Sequence, residues 1–422
     1  MTRDDIIRAA YKVWGRDLYR TTSLTDIAKE LGVSKPALYR HFKGKDSLLD
    51  AMYTTFFDDC SGFTRKGYEK AIKTGDKRKS YLIWLRTMSE FYALNKDAFI
   101  FSLTMVFSSR DRLSLHSEFI NRGIDFGHPA LIDEIPAPYP SKMQLGIATG
   151  IFHLAQFHHH EKKKDASPTS DQIKHTISEL EKIVTRGLNM NAGKVRGLNY
   201  QDLEKQAAGA EYVDTETNII LRAAAEAVAE AGPWNASMEM VAKHSGLSKS
   251  GLYAHYKNKQ DMLTKLFIAE FTRIVNFAKA QIERSSVSEE QLYLAIISMV
   301  NYLRSRPEIL VALDWIKTSR LELGTDVSLY LYKAIGTIKI KAIQNYDRDM
   351  LVKVAQWMLF LIVNTLALWQ PGGGKKTECP VPGIPGIQNQ DISWARNAAE
   401  IPNESLRILF RYIALGVEGL NL

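Results

Sequence analysis

The sequence predicts an all-α protein built from two tandem helical units. Residues 27–49 recur as residues 241–263, without an insertion or deletion and at a constant offset of 214 residues. Apolar residues elsewhere follow the spacing of amphipathic helices, and no alternating run of convincing strand length is found. A length of 422 residues leaves room for roughly two to four domains, each with its own core.

Each copy begins with a short helix that is predicted to end at a glycine. Ser23 and Ser237 stand where an N-cap is expected, and Ser23 with Asp26 resembles a capping box. Gly32 and Gly246 can adopt the left-handed conformation that ends a helix. The apolar stripe between cap and glycine is Leu24, Ile27, Ala28 and Leu31 in the first copy and Met238, Val241 and Ala242 in the second.

A second short helix follows each glycine. Ser34 and Ser248 are its predicted N-caps, and Leu38 and Leu252 are predicted to point inward. From Gly32 to Leu49, nine of eighteen positions are identical to those of the second copy. A glycine-centred turn between two short helices is typical of a helix-turn-helix, whose second helix enters the DNA major groove.

The motifs GVSKPALYRHFKGKDSLL and GLSKSGLYAHYKNKQDML resemble the helix-turn-helix signature of the tetracycline-repressor (TetR) family of bacterial transcription regulators. The resemblance implies a DNA-binding head and a helical ligand-binding and dimerisation domain in each unit. The expected domains are a first head over 1–50, its helical domain over 51–195, a second head over 212–264 and its helical domain over 265–422. Family members usually carry one unit and pair as homodimers, so this chain is expected to pack both units as a pseudo-dimer.

The start of the second motif helix is expected to face the floor of the groove. Base-edge contacts are assigned to Thr25, Lys35, Pro36, Ala37 and Arg40 in the first head and to Glu239, Lys249, Ser250 and Gly251 in the second, where Ala254 matches Arg40. The resemblance implies phosphate contacts from Ser34, Tyr39, His41 and Lys45 and from Ser248, Tyr253, His255 and Lys259. Packing of Tyr39 and His41 within the head, and a merely solvated Lys45, are the alternatives.

Charge distinguishes the two heads. Residues 1–50 hold ten Lys or Arg against seven Asp or Glu, a net charge of +3, whereas residues 215–264 hold five of each. Attraction to phosphates supplies most sequence-independent affinity for DNA. The first head is therefore expected to bind DNA more strongly than the second.

Matching helices follow each head. Long apolar segments break at residues 95–97 in the first half and 305–307 in the second. Each half is predicted to end in two helices, which are 142–159 with 170–188 and 350–369 with 403–420. Glycine and asparagine over residues 189–211 predict a linker, and residues 371–390 a long loop. The four final helices are expected to form the bundle that joins family homodimers.

Aromatic and sulfur side chains crowd the helices after each head. We expect an effector pocket lined by Trp84, Met88, Phe91, Tyr92, Met105, Tyr302, Asp314 and Trp315. Such stripes at helical spacing are more often core. Asp314 could orient a ligand or could equally be an exposed carboxylate.

Metal sites and catalytic motifs are not predicted. The neighbouring histidines His153, His158, His159 and His160 point in different directions on a helix and precede a lysine run, which favours a solvated helix end over a metal site. No P-loop, nucleophile elbow, dinucleotide fingerprint or HExxH is found. We therefore expect no cofactor, no metal and no enzymatic activity.

Two distant cysteines and a charged N-terminal helix indicate a cytoplasmic protein without a signal peptide. The most apolar run, 357–369, is expected to be too short to cross a bilayer. The predicted function is that of a ligand-responsive transcriptional regulator, and specifically a repressor. It is expected to bind a double-stranded DNA operator and an unidentified small-molecule effector. Further self-association stays open. The alternative is a scaffold protein in which one or both heads no longer bind DNA.

Overall fold

The computed structural model describes residues 1–17, 23–103, 115–131, 139–161, 168–208, 219–319, 343, 345–369 and 393–421. Within these ranges every regular element is helical, and no strand occurs. The prediction of an all-α fold is confirmed.

The chain forms two compact units. The described residues of unit 1 lie between 1 and 133 and between 153 and 181, and those of unit 2 lie between 134 and 152, between 182 and 377 and from 387 onward. The helices of the first half are α1 Arg3–Asp17, α2 Leu24–Leu31, α3 Lys35–Tyr39, α4 Lys45–Lys73, α5 Lys77–Leu94, α6 Lys96–Phe101, α7 Leu115–Ile120, α8 Lys142–Glu161 and α9 Ser170–Arg186.

The remaining helices all belong to unit 2. They are α10 Ala192–Arg196, α11 Tyr200–Ala208, α12 Ile219–Asn235, α13 Met238–Ser245, α14 Lys249–His255, α15 Lys259–Ile282, α16 Ser288–Ser305, α17 Pro307–Ser319, α18 Arg348–Leu368, α19 Ser393–Asn397 and α20 Asn403–Leu415. Short 3₁₀ segments follow at Ala398–Glu400 and Gly416–Asn421. The predicted helix breaks at residues 95–97 and 305–307 are present, because α5 ends at Leu94 and α16 ends at Ser305.

The core of unit 1 is aromatic. Helix α4 packs along α5, and α1 packs on α2 and α6. Phe56 lies 5.9 Å from the ring of Phe101 and 6.4 Å from that of Phe91. His158 belongs to this core, since its Nε2 lies 2.9 Å from the carbonyl oxygen of Tyr92 and its side chain is buried. The expectation that this histidine lies at a solvated helix end is wrong, because packing holds it against the aromatic cluster.

The core of unit 2 contains charged and hydrogen-bonding side chains at positions where unit 1 has phenylalanines. Glu270 and Tyr302 occupy the same places in α15 and α16 as Phe56 and Phe91 in α4 and α5, counted from the helix starts. The Tyr302 hydroxyl donates to the buried Glu270 carboxylate. Arg306 lies 3.4 Å from the same carboxylate. The pairing neutralises charge that would be costly to bury alone.

The final helices of the two halves meet inside unit 2. Thr149 of α8 is buried, and its hydroxyl lies 2.8 Å from the hydroxyl of Tyr412 on α20. The indole nitrogen of Trp357 on α18 donates to the same Thr149 oxygen at 3.1 Å. Phe152 and Phe360 extend the contact, with ring centroids 5.7 Å apart.

Two glycines allow the ends of α9 and α20 to approach closely. Gly187 and Gly416 have φ angles of 54° and 66°. A Cβ on Gly187 would lie 2.3 Å from the carbonyl oxygen of Ile413, and a Cβ on Gly416 would lie 2.3 Å from the carbonyl of Thr185. Gly187 and Gly416 are counterparts, since each directly follows the last residue of its helix.

The predicted linker contains two helices, α10 and α11, after Asn189 adopts a φ of 54°. Tyr200 packs its ring 5.0 Å from that of Tyr293. The Glu204 carboxylate accepts hydrogen bonds from the Tyr293 hydroxyl at 2.7 Å and from Arg407 Nε at 2.8 Å. Against the opposing effect of burial, these bonds lower the pKa of Glu204. The predicted linker therefore includes two short helices, which tertiary contacts hold in place.

One described helix, α18, is long and apolar enough to span a membrane by length and composition. Its window Asp349–Leu368 has a mean hydropathy of 1.8, and 56% of that window is buried in the protein. The length of this apolar helix was underestimated from the sequence, because the apolar run was counted from Trp357 and the first turns of α18 were left out. A single such helix, mostly buried, is weak evidence for a membrane span, since core helices share these properties. The predicted loop over 371–390 lies outside the described residues.

Candidate DNA-binding heads

Both heads fold as the sequence predicts around the turn. Gly32 and Gly246 are left-handed, with φ angles of 65° and 69°, and each ends its helix. Val33 N–H donates to the Ala28 carbonyl at 3.0 Å, and Leu247 N–H donates to that of Ala242 at the same distance. These bonds satisfy helix-end carbonyls and set the angle of the next helix.

The N-caps differ between the heads. Ser248 accepts a hydrogen bond from Gly251 N–H at 3.0 Å, and Ser237 accepts one from Met240 N–H at 3.2 Å. In the first head, Ser23 N–H donates to the Asp26 carboxylate at 2.7 Å. Ser34 stands at the N-cap position of α3 but makes no side-chain cap bond. The prediction of Ser34 as the N-cap residue is confirmed, although its hydroxyl does not cap the helix.

The residues assigned to DNA contacts share one property, which is access to solvent. Leu38 and Leu252 are buried beneath the motif helices, as expected. The exposed members are Thr25, Ser34, Lys35, Pro36, Tyr39, Arg40 and His41 in the first head and Glu239, Ser248, Lys249, Ser250, Tyr253 and His255 in the second, while Ala37, Lys45, Gly251 and Lys259 are half-buried. Tyr39 and Tyr253 are 47% and 48% exposed, so neither ring is a core residue of its head.

Lys45 and Lys259 begin the long helices α4 and α15. The Lys45 ammonium lies 5.9 Å from the ring centroid of Trp14 in α1. Partial burial lowers the pKa of both lysines. Each lysine is thus held at the base of its head by its own helix start, close to the turn that follows the motif helix.

The second head contains an ion pair for which the first head has no equivalent. The Lys249 ammonium contacts the Glu239 carboxylate across the motif turn. Their hydrogen bond lowers the pKa of Glu239 and raises that of Lys249. The matching residues of the first head are Thr25 and Lys35, and the Lys35 ammonium lies 5.9 Å from the Tyr39 ring centroid. The opposite charges at positions 239 and 249 are the signal in the sequence for this pair.

The residues proposed for effector binding are distributed through the cores. Trp84, Phe91 and Tyr92 are buried, and Met88 is half-buried. The Trp84 ring lies 5.4 Å from that of Phe126. These contacts show that the three rings contribute to the core.

The second-half candidates are also buried. Tyr302 hydrogen-bonds Glu270, and Asp314 is only 4% exposed. Asp314 is therefore not the exposed carboxylate of the alternative interpretation. Met105 and the side chain of Trp315 lie outside the described residues.

Comparison with known proteins places the two heads in one family. Residues 6–52 and residues 220–266 each match the model of the bacterial regulatory proteins, tetR family. The chain matches the tetR family in these two segments. It carries two of the family's DNA-binding units in tandem, and each match spans the three helices of a head and the start of the long helix that follows.

Proteins similar to this chain include regulators of fatty acid metabolism. The fatty acid metabolism regulator protein of Bacillus subtilis (strain 168) is 25% identical over 157 residues, covering 36% of this chain and 81% of the relative. The fatty acid degradation regulator FadR from Bacillus halodurans aligns with a TM-score of 0.33 at 16% identity, over 46% of this chain and 98% of that one. The transcriptional regulator FadR from Bacillus subtilis, in complex with stearoyl-CoA, aligns with a TM-score of 0.32 at 19% identity, over 45% and 96%.

The family and the paired helix-turn-helix heads define the general function. The chain is a ligand-responsive, DNA-binding transcriptional regulator.

Proposed function

We propose that this chain is a repressor that holds both of its heads on one DNA operator as a covalent pseudo-dimer. The observation that carries the proposal is the contact between the final helices of the two halves. Thr149 of the first half accepts or donates to Tyr412 and accepts from Trp357 of the second half, and all three side chains are buried. A buried polar contact of this kind specifies one way of packing α8 against α18 and α20.

The close approach of Gly187 and Gly416 supports the same proposal. Leu188 N–H donates to the Ile413 carbonyl at 2.8 Å, and Met190 N–H donates to that of Ala414 at 3.1 Å. The end of the first half is therefore hydrogen-bonded along the end of the second. In the proposed function, this junction replaces the interface between two separate chains.

The exposed residues of α3 and α14 are proposed to contact DNA. Lys35, Pro36, Ala37 and Arg40, with Thr25, would face base edges in one half-site, as Lys249, Ser250, Gly251 and Glu239 would in the other. The hydroxyls, imidazoles and ammonium groups at Ser34, Tyr39, His41 and Lys45, and at Ser248, Tyr253, His255 and Lys259, would contact phosphates. Binding one operator from one face requires motif helices centred roughly 34 Å apart.

The effector is proposed to be a long-chain fatty acid or its acyl thioester. The support is the name of the Bacillus subtilis relative, a fatty acid metabolism regulator, together with the apolar character of the Trp84, Met88 and Phe91 region. A ligand changes DNA affinity only by favouring one conformation over another. In this proposal, the acylated effector favours a conformation in which the heads do not match successive major grooves.

A gel shift tests the proposed function. The intergenic DNA upstream of the gene is the specific probe, a scrambled duplex of the same length is the control, and both are titrated at two salt concentrations. We expect preferential binding of the upstream duplex and its release by stearic acid or stearoyl-CoA, with coenzyme A alone as the control. Binding without release would reject this effector class, and equal binding of both duplexes would reject the operator.

Replacing Lys45 by alanine tests the phosphate role. Lys45→Ala is expected to weaken binding to every duplex and to reduce the slope of log affinity against log salt by about one unit, because one released counterion is lost. Lys70→Ala is the matched control. It removes the same charge from the exposed far end of α4, and we expect it to leave the slope unchanged. A similar slope for both variants would show that Lys45 is a solvated lysine.

A scaffold role for the second head is the competing candidate. The observation that favours it is the pairing of Lys249 with Glu239 in a head of zero net charge. Selective loss of affinity on substituting the second head would argue against this role. We further propose a cytoplasmic location and no enzymatic activity, consistent with the family.

A further inference from the structure

Glu239 and Lys249 present opposite charges side by side at the entrance of the second motif helix. Glu239 lies in the first turn of α13, and Lys249 is the first residue of α14. Both side chains are exposed, at 59% and 53%. The pair therefore offers one hydrogen-bond acceptor and a set of donors to whatever approaches this face.

The pair also changes how the head interacts with a phosphate backbone. A lysine engaged by a carboxylate must give up that contact to bind a phosphate, and the freed carboxylate repels the same phosphate. An exposed ion pair is weak, so DNA can break it. A partner could bind both side chains without breaking the ion pair if it offered a hydrogen-bond acceptor to Lys249 and a donor to Glu239, spaced as closely as the two charged groups are.

A base pair has such a surface in the major groove. Guanine O6 accepts, cytosine N4 donates, and these two atoms lie about 3 Å apart because they are hydrogen-bonded to each other. The lysine ammonium can also donate a hydrogen bond to guanine N7. A T·A pair has the same order of acceptor and donor, but the thymine methyl group replaces the second acceptor. A G·C pair in one orientation is therefore the best match.

We propose that Glu239 is the specificity-determining residue of the second head, and that the Glu239–Lys249 pair binds a single G·C base pair as a unit. The inference rests on the proposed function, namely that the second head binds DNA. It assigns to this head a lower affinity for DNA of arbitrary sequence and a sharper preference at one position. The first head has Thr25 and Lys35 at these positions, so it has no such ion pair and no corresponding base preference.

The test exchanges the residues at positions 25 and 239 between the two heads. Glu239→Thr gives the second head the residue of the first, and Thr25→Glu gives the first head the residue of the second. Each full-length variant is titrated with a random-sequence duplex over a range of salt, and each is used to select sites from a random DNA pool. Both positions are exposed, so circular dichroism and melting should show unchanged folding.

We expect Glu239→Thr to raise affinity for the random duplex about fivefold at low salt and to steepen the salt slope by about one unit, because Lys249 becomes available to phosphate. Selected sites should lose a G·C preference of roughly 5- to 100-fold at one position. Thr25→Glu should create that preference in the other half-site. In a Lys249→Ala background, Glu239→Thr should no longer steepen the slope.

The outcomes separate this inference from the proposed function. If the wild-type chain binds the duplexes while Glu239→Thr selects the same sites with the same salt slope, only the specificity role is overturned. If substitutions throughout the second head leave DNA binding unchanged, that head does not bind DNA, and both the two-headed function and this inference are overturned.

Discussion

Triple substitution of Tyr39, Arg40 and Lys45 by alanine is expected to abolish operator binding. These residues supply the aromatic hydroxyl, the guanidinium and the ammonium of the more basic head, and Tyr39 and Arg40 are exposed. Removing two cationic side chains from a head of net charge +3 takes away most of its attraction to phosphates. We expect specific affinity to fall at least about 100-fold, since each base-edge contact alone contributes roughly 1–3 kcal/mol.

The matched variant replaces Tyr253 and Lys259 of the second head by alanine. Because that head has no net charge, its loss should leave weak binding to a single half-site. Fluorescence anisotropy with the upstream duplex and with duplexes carrying one scrambled half-site measures both effects. Equal losses from the two variants would contradict the assigned difference between the heads, and a retained melting temperature verifies that each variant is folded.

Alanine at Gly416 is expected to destabilise the junction between the final helices by roughly 3 kcal/mol. Gly416 has φ 66° and ψ −156°, a region open essentially to glycine alone. An added Cβ would also collide with the backbone of Thr185 at 2.3 Å. Strain and overpacking each contribute about 1–3 kcal/mol. Thermal melting followed by circular dichroism measures the loss.

Gly75→Ala separates strain from collision. Gly75 has a φ of 68°, but a Cβ there would have no neighbour within 4 Å. Its substitution should cost only about 1 kcal/mol of backbone strain. If Gly416→Ala melted no lower than Gly75→Ala, the close packing of α9 against α20 would be contradicted.

The heads could be predicted from the sequence because their determinants are local. These determinants are the capping residues, the turn glycines Gly32 and Gly246, and the inward leucines. Each lies within a few residues of the feature that it controls. The helix breaks near Asn95 and Arg306 are local signals of the same kind. The all-α fold follows from the same periodicity.

Features that depend on distant partners could not be predicted in this way. Residues 192–196 and 200–208 form helices because Tyr200 and Glu204 meet Tyr293 and Arg407. His158 is buried because Tyr92, 66 positions earlier, offers a carbonyl. The choice between a solvated and a buried side chain was decided by such tertiary contacts rather than by spacing along the chain.

The candidate site shows the same division. The exposed face of each motif helix follows from helical geometry, so the assigned residues could be named in advance. The Glu239–Lys249 pair joins residues ten apart across the motif turn. Its formation depends on the angle between two helices, which the sequence does not state.

In the proposed function, one chain binds one operator with two unlike heads. Selection from a random DNA pool, followed by native mass measurement of the complex on the selected duplex, tests this claim most directly. Operator symmetry mirrors the symmetry of the bound protein. The pseudo-dimer predicts two dissimilar half-sites on one duplex and a mass of one chain per duplex. A perfect palindrome occupied by two chains would contradict it.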